Sequence, residues 1–175
     1  MEKYLFLDFD GVLNTVSYAK RLRKEGVEPF DEFGAMFDPD TISNLKSIVE
    51  QTGCKIVLSS TWRNDGLMRM RALWKERNLP DEIYSMTPIL LSTTYNDARS
   101  GELFTIPEHN AKALEIQAWL HRYASEPCQY VILDDENVFF PKQQEHLVQT
   151  EEKQGLTITK AQLAIEVLNN KKQAF

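Results

Sequence analysis

The chain predicts an α/β fold, a three-layer sandwich around a mainly parallel five-stranded sheet. Three observations predict it. Short apolar runs alternate along the sequence with amphipathic stretches of helical period, which is the pattern of a parallel sheet covered by helices. Three of those runs end in acidic or hydroxyl residues, where open α/β sheets carry their chemistry. Internal repeats, low-complexity tracts and Pro/Gly/Ser-rich linkers are absent, so residues 1–175 read as one domain.

Each element has a local reason. Tyr4-Leu5-Phe6-Leu7 is a continuous apolar run and reads as a buried first strand. Asp38-Pro39 reads as a helix N-cap with proline at the first helical position; Ile42, Leu45, Ile48 and Val49 share one face, and Gly53 supplies the stop. Lys55-Ile56-Val57-Leu58 follows as the second strand. After Ser59-Ser60-Thr61-Trp62-Arg63, Asn64 or Asp65 is expected to cap a helix with Leu67, Met70, Leu73 and Trp74 on one side, ending before Pro80. Residues 83–86 form a weak third strand. The polar stretch at 92–108 reads as a long loop or an irregular hairpin, and loops of that length are often functional.

Asn110 opens the next helix, with Ala113, Ile116, Leu120 and Tyr123 along one side and Pro127 closing it. Tyr130-Val131-Ile132-Leu133 is the fourth strand and residues 147–149 a short fifth. Thr159 and Gln162 have capping-box spacing before a last helix carrying Leu163, Val167 and Leu168, with a frayed tail after Asn170.

Composition limits the function classes. With 42% hydrophobic residues the chain can bury a sizeable core. The balance of 26 acidic against 20 basic residues, net −6, provides no general attraction to nucleic acid or an anionic membrane. The apolar start is too short for a signal peptide and is broken by Asp8 and Asp10, and no later run approaches a membrane span. Cys54 and Cys128 each precede a strand and look like small buried hydrophobes in a reducing compartment, so the cytoplasm is the expected location.

The strand ends carry the chemistry. Strand one ends in Asp8 and Asp10, strand two in Ser59 and Ser60, and strand four in Asp134 and Asp135. Taken alone, each pair has a plain structural reading: Asp10-Gly11 as a turn, the serines and the later acids as helix caps. Together they put four carboxylates at one edge of one sheet, where like charges repel unless a cation or a proton compensates. Oxygen-only ligands of this kind suit a hard cation such as Mg²⁺. Lys112 falls in the first turn of its helix, where the macrodipole disfavours a cation by roughly 0.3–1 kcal/mol. A lysine aimed at the carboxylates and at a bound phosphate explains that position.

In this arrangement the chain resembles the haloacid dehalogenase-like (HAD) superfamily of phosphotransferases. The four motifs stand in order: Asp8-Phe9-Asp10-Gly11-Val12, then Ser59 or Ser60 after Ile56-Val57-Leu58, then Lys112, then Asp134-Asp135. The segments Asp10-Gly11-Val12-Leu13-Asn14, Ser60-Thr61-Trp62-Arg63, Lys112 with Ile116-Gln117-Ala118-Trp119-Leu120, and Val131-Ile132-Leu133-Asp134-Asp135 are similar to small HAD domains associated with RNA-repair proteins. A receiver-like signalling domain also combines carboxylates, a hydroxyl and a lysine, but its lysine would follow the acidic residues on a later strand.

The resemblance implies a Rossmann-like core with a minimal cap and a Mg²⁺-dependent phosphomonoester hydrolase. Asp8 would be the nucleophile forming an aspartyl-phosphate, and Asp10 the acid and base. Mg²⁺ would be held by Asp8, the backbone carbonyl of Asp10, Asp134 and Asp135. Ser59, with Ser60 adjacent, and Lys112 would bind the phosphoryl group. Arg63, Arg69, Arg71 and Arg99 are candidates for a phosphate chain. The minimal cap suggests an open crevice and a macromolecular substrate, a nucleic-acid end or a phosphoprotein; a small-molecule or nucleotide phosphatase and a non-catalytic phosphate-binding module of the same fold are the alternatives.

Overall fold

The computed structural model describes residues 1–90, 94–96, 103–105 and 110–170. In chain order it holds β1 (Glu2–Leu7), α1 (Val16–Lys24), β2 (Phe30–Asp31), β3 (Gly34–Ala35), α2 (Pro39–Thr52), β4 (Lys55–Leu58), a 3-10 helix (Thr61–Asp65), α3 (Leu67–Glu76), β5 (Ile83–Met86), β6 (Thr94–Asn96), β7 (Leu103–Thr105), α4 (Ala111–Tyr123), β8 (Cys128–Asp134), α5 (Pro141–Gln144), β9 (Leu147–Gln149) and α6 (Ile158–Asn169).

Five strands form one all-parallel sheet in the order β5-β4-β1-β8-β9. Alternation along the central strands sorts the core into two layers. Leu5, Leu7, Ile56, Leu58, Val131 and Leu133 face α2, α3 and α6 through Leu45, Ile48, Leu73, Ala161 and Leu168. Tyr4, Phe6, Val57, Tyr130 and Ile132 face α4 through Ala113, Ile116 and Leu120. Trp119 is fully buried there, edge-on to Tyr4 and Phe6 at 5.0 and 5.4 Å, contacts worth about 0.5–1.5 kcal/mol beyond the area they bury. This is a Rossmann-like α/β core, with the carboxyl ends of β1, β4 and β8 adjacent.

Local capping follows the sequence at some helices and departs from it at others. Asp38 caps α2 by accepting from the Asp40 N–H at 3.1 Å, Pro39 starts the helix and Gly53 ends it in the left-handed region. The segment expected to be capped at Asn64 or Asp65 instead begins with the 3-10 helix, whose N-cap is Ser60; α3 then starts after Gly66 without a side-chain cap. Thr157, not Thr159, caps α6, because it accepts from Lys160 N at 3.3 Å. Leu163 and Tyr123, placed on buried faces by spacing, are 43% and 54% exposed.

Two features of the 14–38 interval were not foreseen: α1, which buries only Leu22, and the two-residue hairpin β2–β3. Within 92–108, β6 and β7 pair antiparallel; the rest of that segment and the tail beyond 170 lie outside the described residues. Among the described residues no helix is long and apolar enough to cross a membrane. Cys54 and Cys128 are buried free thiols.

Candidate active site

The parallel ladder runs one residue past its strands. Asp8 N–H donates to Leu133 O and Ser59 N–H to Leu7 O, each at 3.0 Å, so the first residues after β1 and β4 stay beside Asp134 at the end of β8. Asp8, Ser59 and Asp134 are therefore almost wholly buried, at 4%, 1% and 0% exposure. Backbone donors fix both carboxylates: Phe9 N–H reaches Asp8 Oδ1 at 2.7 Å and Glu136 N–H reaches Asp134 Oδ1 at 3.0 Å.

Lys112 enters from the first turn of α4. Its Nζ lies 2.5 Å from Asp8 Oδ2, 2.8 Å from Asp134 Oδ2 and 3.3 Å from Glu136. Burial by itself would lower the ammonium's pKa, but Asp8 and then Asp134 outweigh it and hold the group above its usual range. Attraction to two buried carboxylates thus overcomes the unfavourable helix end.

Asp8, Asp134 and Asp135 present carboxylate oxygens within 4.8 Å of one another. Burial first, and then the charge of Asp8, pushes the Asp134 carboxyl up to about 7 and raises that of Asp135, with Lys112 opposing both. Three carboxylates against one ammonium leave negative charge that a divalent cation would offset, and an all-oxygen donor set fits Mg²⁺. Gly11 makes room for the arrangement. Its φ is +65°, and a Cβ built there would stand 2.4 Å from Asp135 Oδ2.

Asp10 lies apart from that cluster. Its Oδ1 accepts from Asn14 Nδ2 at 2.7 Å and its Oδ2 from the Trp62 indole N–H at 2.8 Å, which fixes an otherwise exposed carboxylate. The turn that carries it is tight, since the N–H groups of Val12, Leu13 and Asn14 all point at Phe9 O. Trp62 itself packs edge-on to Phe9 at 5.6 Å. Sequence reasoning assigned no role to Trp62 or Asn14. The usable signal was chemical: a tryptophan following a strand end needs an acceptor for its N–H.

The two serines separate by their partners. Ser60 Oγ accepts from Trp62 N at 3.4 Å as a cap, whereas Ser59 Oγ is buried without a hydrogen-bond partner among the described residues. A buried orphan hydroxyl beside Asp8 fits a group that binds there. Arg63 corrects the reading of it as a phosphate contact. Its guanidinium is buried, paired with Glu115 and spent on the carbonyls of Ser59, Ser60, Thr87 and Pro88, so no donor faces the crevice. Arg69 is tied to Asp65 and to Glu32 O, and Arg71 lines a separate cavity with Trp74 and Ile83. Arg99 lies outside the described residues.

Residues 4–161 match the family model of the HAD domain in Swiss Army Knife RNA repair proteins. The curated proteins searched contain no match.

Proposed function

The chain belongs to this family of HAD domains, and on that premise we propose that it is a Mg²⁺-dependent phosphomonoester hydrolase working through an aspartyl-phosphate on Asp8. Family membership supports a phosphatase-like function in general; the finer reading rests on the site. One observation supports it above the others: Lys112 Nζ lies 2.5 Å from Asp8 and 2.8 Å from Asp134, joining three of the four motifs at one point.

In the first half-reaction an Asp8 carboxylate oxygen attacks phosphorus, the bond from phosphorus to the alcohol oxygen breaks, and Asp10 gives that oxygen its proton. In the second, Asp10 takes a proton from water, whose oxygen attacks the same phosphorus. The bond to Asp8 breaks, releasing orthophosphate and restoring the carboxylate. Trp62 and Asn14 hold Asp10 for both proton transfers. The Ser59 hydroxyl is available to donate to a phosphoryl oxygen, and Lys112 offsets charge on Asp8 and the phosphoryl group. Bound by Asp8, Asp134, Asp135 and the Asp10 carbonyl, Mg²⁺ would offset repulsion between the nucleophile and a phosphate dianion.

We take residues 1–175 as one minimally capped domain, and the free buried thiols agree with a reducing, cytoplasmic setting. The test is turnover of p-nitrophenyl phosphate with Mg²⁺. Asp8→Asn should fall to background with its circular dichroism unchanged. Undiminished turnover in that variant would sink the reading.

A further inference from the structure

We infer that the cavity beside Asp10 is the leaving-group site and that it accepts an uncharged, ring-bearing alcohol, a nucleoside or aryl group carrying one phosphate. This rests on the phosphatase reading for its chemistry and on separate observations for its specificity. The cavity measures about 340 Å³, and Asp10, Gly11 and Asp135 are among its lining residues. That places it where the oxygen protonated by Asp10 must leave. A larger cavity of about 610 Å³, near the amino ends of α1, α2 and α6, contains none of the motif residues.

Six of the twelve described residues lining the cavity beside Asp10 are apolar, Val16 and Ala19 of α1 with Pro29, Phe30, Ala35 and Met36 of the hairpin segment. Phe30 is 52% exposed, leaving ring surface free beside the group that protonates the leaving oxygen. Flat aromatic surface of this kind stacks on a nucleobase or aryl ring.

Charge narrows the choice. Among the described residues the ionisable groups lining the cavity are Asp10, Asp135 and Glu152, with no lysine, arginine or histidine. Lys112 and a bound cation serve the transferred phosphate; Glu152 faces whatever follows it. A leaving group with further phosphates would bring negative charge against that carboxylate, with no cationic side chain among the described lining residues to offset it. A single nucleotide therefore fits better than an oligonucleotide.

The wall is held in place before any ligand arrives. Arg77 donates to Ala35 O at 2.6 Å, pairs with Asp31 at 2.8 Å and lies over the Phe37 ring. Gly34 sits so close to Trp62 that an added Cβ would be 2.8 Å from the indole ring. The same indole donates to Asp10, so the hairpin and the acid share one anchor.

The test compares kcat/KM for a nucleoside 5′-monophosphate and the matching 5′-phosphorylated tetranucleotide with Mg²⁺. Wild type should prefer the mononucleotide by about tenfold or more, as expected when one partner meets uncompensated like charge. Glu152→Lys should narrow that gap. In the Asp8→Asn background, calorimetry should find the monophosphate bound about fivefold or more weakly once Phe30→Ala is added, the low end of losses on removing a base-stacking aromatic. Equal or faster turnover of the tetranucleotide, or unchanged binding after Phe30→Ala, overturns this inference and leaves the phosphatase reading standing. Inactivity on both substrates and on p-nitrophenyl phosphate, with Phe30-dependent binding retained, sinks the phosphatase reading and keeps the binding site.

Discussion

Arg63 and Glu115 form an ion pair behind the site with side chains only 3% and 6% exposed. The other Glu115 oxygen accepts from Leu90 N at 3.0 Å, while Arg63 reaches the Ser59 and Ser60 carbonyls at 3.0 and 2.7 Å. The pair thus ties the ends of β4 and β5 to α4, one turn beyond Lys112. Removing one partner leaves a buried charge uncompensated, so Glu115→Ala should cost about 3–5 kcal/mol in urea unfolding. Glu115→Gln, which keeps the shape and a hydrogen bond, should lose less. A loss below about 1 kcal/mol for Glu115→Ala would mean the guanidinium finds other compensation.

Gly11 and Gly53 make a matched pair. Both have positive φ, at 65° and 62°, but a Cβ at Gly53 would meet nothing within 4 Å while one at Gly11 would strike the Asp135 carboxylate. Each alanine variant should lose about 1–2 kcal/mol from its left-handed backbone. Only Gly11→Ala should also weaken Mg²⁺ binding, because Asp135 must move. Titrating both variants with Mg²⁺ by calorimetry separates the effects; equal affinities would remove Asp135 from the cation site.

Cation binding should release a proton near neutral pH. Burial and the neighbouring Asp8 push the Asp134 carboxyl up to about 7, against the opposing pull of Lys112. The cation binds the deprotonated form, so below that value its apparent affinity should fall about tenfold per pH unit, and above it should level off. Calorimetry at pH 6 in two buffers of different ionisation enthalpy should detect the released proton. Identical heats in both buffers would contradict it.

The strands that place Asp8, Ser59 and Asp134 were legible because each is a continuous apolar run buried on both faces, and their polar ends stood out against it. Capping was legible where one residue had no competitor, as at Asp38-Pro39, and misread at Thr157 and Thr159, two threonines with similar spacing. Helix α1 escaped notice because it buries only Leu22 and carries a mostly charged surface. Arg63 was misread for a different reason: an arginine's burial depends on its partner, and Glu115 is 52 positions away. The choice between Ser59 and Ser60 likewise needed coordinates, since only the fold decides which hydroxyl is spent as a cap.

Trp62→Phe tests the hold on Asp10. The change keeps an aromatic ring against Phe9 and Phe37, at 5.6 and 5.8 Å in the wild type, and removes the N–H that reaches Asp10 Oδ2 at 2.8 Å together with part of the indole that packs on Gly34. Asn14 remains on the other carboxylate oxygen, so Asp10 stays in the site but less firmly aimed. General-acid help matters most when the departing alkoxide is a strong base and least for a stabilised phenolate. The variant should therefore lose about tenfold or more in kcat/KM on an alkyl phosphate, within the 10²–10⁴ range of general acid–base contributions or just below it. On p-nitrophenyl phosphate the loss in kcat/KM should be several times smaller, since that ratio covers only the steps through departure of the alcohol. A uniform loss in kcat/KM on both substrates would assign Trp62 to packing alone, because misplaced packing has no reason to sense the basicity of the leaving group.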